Sequence, residues 1–307
     1  MSRNNVISPL TGSKNTSLIN RYSKADLVTS WQSVFNIDIE NDLHEIESID
    51  LYSCNDTGLR FFLPLKSAGG EKMYSLLQEF PWYYSTNKWE YDRASEDLRN
   101  ASNLLEIGCG TGAFLNIAKK QGIKCNGIEF NSRAISAAQS QGLQVEKISL
   151  EEVIQRGQRY DAVCAFQVLE HVPNPREFLM QLISLLNPKG ILILAIPNGD
   201  SYLRLQQSLL DRPPHHLTQW TKLALLSLPR LFPITLERLI PEPLSPLHIQ
   251  DCFNSIYLEF HHRSVLHKLT LNRFTKHFFI QILRLFRSQI YGHSWYVSYR
   301  LNDSIER

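Results

Sequence analysis

Between Leu104 and Asn198 the chain alternates short β-rich runs with amphipathic helical stretches, and this alternation restricts the fold more than any other feature. "NLLEIG" leads into a helix over about Gly112 to Gln121, "IKCNGIEF" into "NSRAISAAQSQ", "LQVEKI" into "SLEEVIQRG" and "YDAVCAFQ" into "REFLMQLISLLN", before "GILILAIPN" closes the series. Strands joined through helical crossovers pair in parallel, and a parallel sheet is covered on both faces. That explains why "ILILAI" is apolar at every position instead of alternating. The predicted class is α/β: a doubly wound, Rossmann-like sheet with helices on both faces. Two later runs, "ITLERLI" and "HSWYVSYRL", predict further strands of the same sheet, with a helical insertion over about 243–290 before the last strand.

A length of 307 residues accommodates one large domain and an appendage. Residues 1–50 are polar and mixed, with Ser, Asn, Asp and Glu interrupting every apolar run, so no periodicity assigns them. No uninterrupted apolar run approaches the roughly 18 residues of a spanning helix, and "MSRNNVISPL" lacks the apolar core of a secretion signal, which predicts a cytoplasmic chain. The five cysteines, Cys54, Cys109, Cys125, Cys164 and Cys252, form no C-x-x-C pair and are expected as reduced thiols. A formal net charge of +2 gives no ground for a nucleic-acid partner.

The turn after the first of these strands, "LLEIGCGTGAF", sets Gly108, Gly110 and Gly112 at alternate positions around Cys109, where backbone approaches a ligand at the carboxyl end of a parallel sheet. A phosphate-cradling P-loop requires Lys-Ser/Thr after its last glycine, and Ala113-Phe114 stand there instead. A dinucleotide site is a nearer rival, because Gly108-x-Gly110-x-x-Ala113 fits G-x-G-x-x-G/A and Glu129 is placed for a ribose hydroxyl. Glu106 separates the two. Two unit charges about 5 Å apart interact by roughly 3 kcal/mol at an effective dielectric near 20, repelling a pyrophosphate and attracting an ammonium or sulfonium. S-adenosyl-L-methionine (SAM) offers a ribose, a cationic end and no phosphate.

In these segments, together with "GIEFN", "YDAVCAFQVLEHVPNP" and "LLNPKGILILAIPN", the chain resembles the class I SAM-dependent methyltransferases, in particular the ubiquinone-methyltransferase and type-12 relatives. The resemblance covers about Trp82 to Asn198 well. It implies a seven-stranded, mostly parallel sheet with one antiparallel strand, "SWYVSYRL", beside the last parallel one. It further implies that Gly108, Gly110 and Gly112 approach the methionine part of the donor, that Glu129 takes the ribose hydroxyls, and that Phe130 lies against the adenine. Phe166 and Gln167 would line the methyl-transfer side. The implied reaction is in-line methyl transfer to oxygen on a small-molecule or glycan-type acceptor. Competing assignments are N- or C-methylation of a nucleotide sugar, a module that holds SAM without turnover, and an NAD-type oxidoreductase.

Alignment of donor and acceptor carries most of such a reaction, but an oxygen nucleophile of high pKa also needs a base. His171 in "LEHVPNP" and His215 and His216 in "DRPPHHLTQWT" are the candidates, against the plainer role of hydrogen-bonded loop histidines. Some relatives bind a divalent ion through E-x-x-E-H and a later histidine. Here the run is Gln167-x-x-Glu170-His171, and an amide in place of the first carboxylate removes a strong ligand for a hard ion, so no required metal is expected, with an ion held by Glu170, His171 and His215 or His216 as the alternative.

Residues 1–80 are expected as a separate small region and 81–302 as the methyltransferase domain. "SPLTG" at Ser8 to Gly12 and "CNDTG" at Cys54 to Gly58 resemble the paired zinc knuckles of relatives, with hydroxyl residues at Ser8, Thr11 and Thr57 in place of thiolates. Hydroxyls do not replace thiolates for structural zinc, so a metal-free descendant is expected. Tyr83, Tyr84, Trp89 and Tyr91 resemble the aromatic lead-in that packs over the SAM site. Finally, Phe260 to Asn302 holds seven Lys/Arg, five His and no Asp or Glu, with apolar residues at helical spacing. A lid packed on the sheet, a membrane-surface contact and a pocket for an anionic acceptor are its three readings.

Overall fold

The computed structural model describes residues 6–80, 82–83, 87–202, 208–263 and 273–303. Its main sheet has seven strands in the order β10-β11-β8-β7-β4-β5-β6. In chain order these are β4 (Asn103–Ile107), β5 (Lys124–Ile128), β6 (Gln144–Glu146), β7 (Tyr160–Phe166), β8 (Leu186–Pro197), β10 (Ile234–Pro243) and β11 (Tyr291–Leu301). Pairing is parallel from β6 through β8, whereas β11 runs antiparallel to both β8 and β10. The expected class, strand count and single reversed strand all hold.

Local chemistry fixes the crossover helices. α4 (Ala113–Lys120) starts directly on the glycine turn, and α5 (Ser132–Ser140) begins where the Asn131 side chain accepts the N–H groups of Arg133 and Ala134. α6 (Leu150–Gln155) opens with a reciprocal Ser149–Glu152 capping box, and α7 (Pro175–Ser184) with Asn174 as cap and Pro175 at its first position. Apolar side chains of these helices close both faces of the sheet: Leu179 and Leu182 on one, Phe114 and Leu115 on the other. The strand order turns back between β4 and β7, and the space beyond their carboxyl ends is where the two crossovers diverge.

A second sheet, β1-β2-β3-β9, has its first three strands in the amino-terminal region: β1 (Thr16–Ser23), β2 (Ser48–Cys54) and β3 (Arg60–Leu63). α1 (Lys24–Phe35) packs Leu27 and Trp31 into the small core beneath it, which sequence periodicity had left unassigned. Its fourth strand, β9 (Thr218–Gln219), comes from far along the chain and pairs with β3 through Arg60–Gln219 and Phe61–Thr218. Leu10, Cys54, Leu59 and Phe61 join the same apolar cluster as the main sheet, so the amino-terminal region and the sheet share a core. The two knuckle-like turns face one another. Gly12 and Gly58 take φ values of +73° and +74°, and Thr11 Oγ1 lies 3.6 Å from Cys54 Sγ.

Within the insertion, α9 (Ile249–Arg263) and α10 (Arg273–Leu285) pack their inner residues on Leu244 and Tyr202. α8 (Lys222–Leu231) precedes β10. Phe278, Phe279, Leu285 and Phe286 are exposed. No helix among the described residues is long and apolar enough to cross a membrane. All five cysteines are free thiols, as expected.

Candidate active site

A cavity of about 890 Å³ occupies the turn-back point of the sheet. Its floor is the glycine turn. Gly108 and Gly110 hold φ values of +67° and +54°, and the backbone at Gly108, Cys109, Gly110 and Thr111 faces the cavity. Gly112 is not among the lining residues. A Cβ there would lie 2.2 Å from Leu143 Cδ1 and 3.3 Å from Ala138 Cβ, so this glycine permits close packing of α4 on its neighbours.

Glu129, at the end of β5, is tied to this turn. Its Oε2 accepts the Gly110 N–H at 2.9 Å, and its Oε1 accepts those of Phe130 and Asn131 at 2.7 and 2.9 Å. Three of roughly four acceptor directions are therefore used by backbone, leaving one on Oε2 for a hydroxyl. Phe130 presents a ring that is 64% exposed at the cavity edge. Phe166 stands edge-on to Phe114 and Tyr91, with centroids 4.8 and 5.3 Å away, and lines the cavity at the end of β7.

Glu106 lies between these walls, 2% exposed, and its Oε2 has no hydrogen-bond partner among the described residues. Burial pushes its pKa up to about 8, with Glu129 adding to the rise and Lys88 opposing it. A buried carboxyl without a partner is costly unless a ligand satisfies it. Five carboxyl residues line the cavity (Glu71, Glu106, Glu129, Glu170, Asp211) against two lysines, Lys88 and Lys147, so the cavity favours a cation, which would draw the buried carboxyls into their ionised form, over a diphosphate. The residues present fit a cationic, ribose-bearing donor.

The opposite wall carries histidines brought together from two segments. His171 ends a short 3₁₀ turn after β7, and His215 and His216 precede β9; the Glu170 carbonyl accepts the Leu217 N–H at 2.8 Å and joins the segments. His171 Nδ1 donates to the His215 carbonyl at 2.6 Å, and His215 Nδ1 to that of Leu210 at 2.9 Å. His216 Nδ1 lies 3.3 Å from Asp211 Oδ1. A carbonyl can only accept, so each of the first two rings carries its proton on Nδ1, and the carboxylate selects the same tautomer in the third. Burial brings the His171 pKa down to about 4 and lowers those of His215 and His216 well below the usual value, His171 reinforcing the effect in His216. All three are neutral imidazoles with Nε2 lone pairs.

Gln167 is backbone-strained at φ +58°, and its amide donates to Ser294 Oγ at 3.3 Å and Glu90 Oε1 at 3.5 Å, away from the histidines. Sequence reasoning missed Tyr74, whose hydroxyl lies 3.2 Å from His171 Nδ1, and Asp211. It also missed Tyr83 as a partner of His215 Nε2, at 3.4 Å. Asp211 was within reach, because it sits five positions before His216 in the same turn. Tyr74, 97 residues from His171, gave no local signal. Tyr84 lies outside the described residues, and Trp89 and Tyr91 begin α3 (Trp89–Asp97).

Residues 83–231 match a family model described as "Methyltransferase domain". Among curated proteins, the chain is 29% identical over 106 residues to a ubiquinone biosynthesis O-methyltransferase of Histophilus somni (strain 2336), covering 31% of this chain and 44% of that protein. It is 31% identical over 135 residues to its counterpart in Dechloromonas aromatica (strain RCB), covering 41% and 58%. The chain thus spans about half the length of the curated relatives it matches. Among solved structures, a SAM-dependent methyltransferase from Archaeoglobus fulgidus is 19% identical with a TM-score of 0.46, covering 74% of this chain and 99% of that one. The plantazolicin methyltransferase BamL, solved with S-adenosylhomocysteine (SAH), is 16% identical with a TM-score of 0.48, covering 76% and 92%.

Proposed function

We propose, from the premise that this chain belongs to the class I SAM-dependent methyltransferases and has SAM as its cofactor, that it methylates a hydroxyl oxygen of a small-molecule acceptor. The observation that carries this reading is the pairing, across one cavity, of the buried Glu106 carboxyl, whose Oε2 has no hydrogen-bond partner among the described residues, with three neutral imidazoles whose Nε2 atoms are unprotonated. When bound, SAM supplies a methyl group on a positively charged sulfur. Glu106 and the turn at Gly108 to Gly110 would hold the cationic end, Glu129 Oε2 would accept from one ribose hydroxyl, and Phe130 would cover the base. The imidazole wall receives the acceptor oxygen and takes up its proton. The methyl group that bound SAM would supply balances the reaction, with the S–C bonding pair kept by sulfur in SAH and the acceptor proton kept by an imidazole. An amine acceptor would reach the same cavity as a neutral nucleophile and would need no such wall, which is why oxygen is favoured over nitrogen.

The exposed face of α10 supports a second, peripheral feature of the same enzyme, contact with an anionic bilayer. Phe278, Phe279 and Leu285 of the helix, and Phe286 just after it, are exposed together with Lys276, Arg284 and, in the following 3₁₀ turn, Arg287, the combination by which an interfacial helix reaches lipid. His293 of β11 lines the cavity and packs its ring against His248 of the insertion, centroids 4.0 Å apart, so a lipid-borne acceptor would approach from that side.

Thermal unfolding tests the donor assignment: SAH at 100 times its dissociation constant stabilises a binding chain by about 2.7 kcal/mol, and NADH is expected to leave it unchanged. Methyl-labelled SAM with paired phenol and amine acceptors tests the chemistry. Label in the amine alone would remove the O-methyl reading, and a rise with NADH in place of SAH would remove the donor.

A further inference from the structure

We propose that Gln167 is a specificity-determining residue: a buried brace turns its side-chain carbonyl into the cavity, where Oε1 takes a hydrogen from a second O–H or N–H group carried by the acceptor beside the hydroxyl that is methylated. The orientation of the amide stands on its own geometry; its role toward the acceptor rests on the methyl-transfer reading above.

Gln167 follows directly on β7 and lines the cavity next to Phe166. Its backbone is left-handed at φ +58°, a conformation uncommon for a long side chain, and its N–H is anchored on the Ala195 carbonyl of β8 at 2.7 Å. This strained and tethered backbone aims the side chain toward α3 and β11.

Both amide hydrogens are used there. Nε2 donates to Ser294 Oγ of β11 at 3.3 Å and to Glu90 Oε1 of α3 at 3.5 Å, and both partners are buried. The two ends of an amide are told apart by what surrounds them. Ser294 has one hydroxyl hydrogen, which goes to the Glu242 carboxyl of β10; that carboxyl also accepts the backbone N–H of His293, at 3.1 Å, and that of Ser294. Ser294 Oγ therefore meets Gln167 as an acceptor, and only the nitrogen end of the amide satisfies it. Reversing the amide would set its oxygen against the lone pairs of Ser294 and Glu90. Glu90, Ser294 and Glu242 are thus positioning residues, drawn from three elements, behind one side chain of the wall.

What remains is Oε1. It has no hydrogen-bond partner among the described residues and is not enclosed by them, so it opens on the cavity. The imidazole wall across the same cavity takes the hydrogen of the attacking hydroxyl, and one hydrogen does not serve two acceptors. An acceptor molecule with a single hydroxyl leaves the Gln167 carbonyl unsatisfied when it displaces water, whereas one with a second donor satisfies both groups. Sites built to hydrogen-bond a group reject the analogue that lacks it, and this oxygen offers nothing to a carboxylate.

The test titrates the SAH-loaded full-length chain by calorimetry at pH 8 with paired probes. The 1,2- and 1,3-dihydroxybenzenes are each compared with their monomethyl ethers, and the aminophenols with their N,N-dimethyl derivatives. The wild-type chain is expected to prefer the donor-bearing member of at least one pair about tenfold; which pair does so tells O–H from N–H as the second group. Gln167→Met, similar in length and without the oxygen, should bring that ratio close to one. Ser294→Ala should lower it and Ser294→Thr, which keeps the hydroxyl, should retain it, a difference that a merely structural role would not produce. A SAH-induced rise in melting temperature in every variant shows that fold and donor site survive. No preference in the wild-type chain, or the same preference in Gln167→Met, overturns the proposal. Equal ratios in Ser294→Ala and Ser294→Thr overturn the brace. Failure of SAH to bind the wild-type chain overturns the methyl-transfer reading, and the same titrations without SAH then still decide whether Gln167 reads a second donor.

Discussion

The Gly110 N–H points at Glu129 Oε2 from 2.9 Å, locking the glycine turn of β4 to the end of β5. This bond connects two strands that sequence reasoning treats independently. It makes Glu129 both a clamp on the turn and a wall of the donor site. Glu129→Gln keeps the size but loses the charge on an acceptor of three backbone N–H groups, and charge-assisted hydrogen bonds contribute about 1.5–3 kcal/mol each. SAH affinity is expected to fall at least tenfold by calorimetry; unchanged affinity would show that Glu129 does not face the ribose.

Glu106→Gln is expected to act with opposite sign on stability and on binding. The folded pKa, about 8, lies above the ordinary carboxyl value of 4.5, so the folded state retains a proton that the unfolded chain loses. Stability therefore falls as pH rises from about 4.5 to about 8, and removing the acid relieves a penalty on the order of 2–4 kcal/mol near neutrality. Melting of the ligand-free variant at pH 8 should exceed wild type, and the gap should close toward pH 4.5. SAH binding by wild type should strengthen from pH 6 to pH 8 as the carboxylate forms, and this dependence should vanish in the variant. A variant that melts lower at pH 8 yet binds normally would contradict both halves.

Two glycines with similar φ should respond unequally to alanine. Gly122, at φ +85°, has open space around a new Cβ, so Gly122→Ala carries only the left-handed penalty of about 1–2 kcal/mol. Gly112, at φ +80°, adds contact with Leu143 and Ala138, and overpacking contributes about 1–3 kcal/mol more. Urea unfolding measures the difference, and equal costs would place Gly112 in a looser surrounding than described.

The α10 face is tested by charge reversal. Arg284→Glu with Arg287→Glu should abolish sedimentation with phosphatidylserine vesicles while leaving SAH affinity unchanged, since neither residue lines the cavity. Equal sedimentation of variant and wild type would remove the bilayer contact.

Much of the donor side was legible because its signals are local. The glycine turn, Glu106 and Glu129 lie within one strand-turn-helix-strand unit, and the apolar run of β8 announced a strand covered on both faces. Spacing alone does not show that Gly112 is also needed for packing against Leu143 and Ala138, because those contacts are made by a later helix and the turn after it. The amino-terminal sheet escaped because its edges are polar and its fourth strand is only two residues long, too short for any periodicity.

By itself, then, the order of residues determined the α/β class, the direction of the strands and an acid-walled cavity for a cationic donor, all consequences of side-chain period and nearby charge. Tertiary structure alone decided what the histidines can do. His171 and His215 are 44 residues apart, and the His171 tautomer depends on the His215 carbonyl, beside which the bond from the Leu217 N–H to the Glu170 carbonyl helps to place it. Hydrogen-bond partners assembled across such separations leave no trace in local pattern, because they are chosen by the packing of two sheets and not by the chain around them.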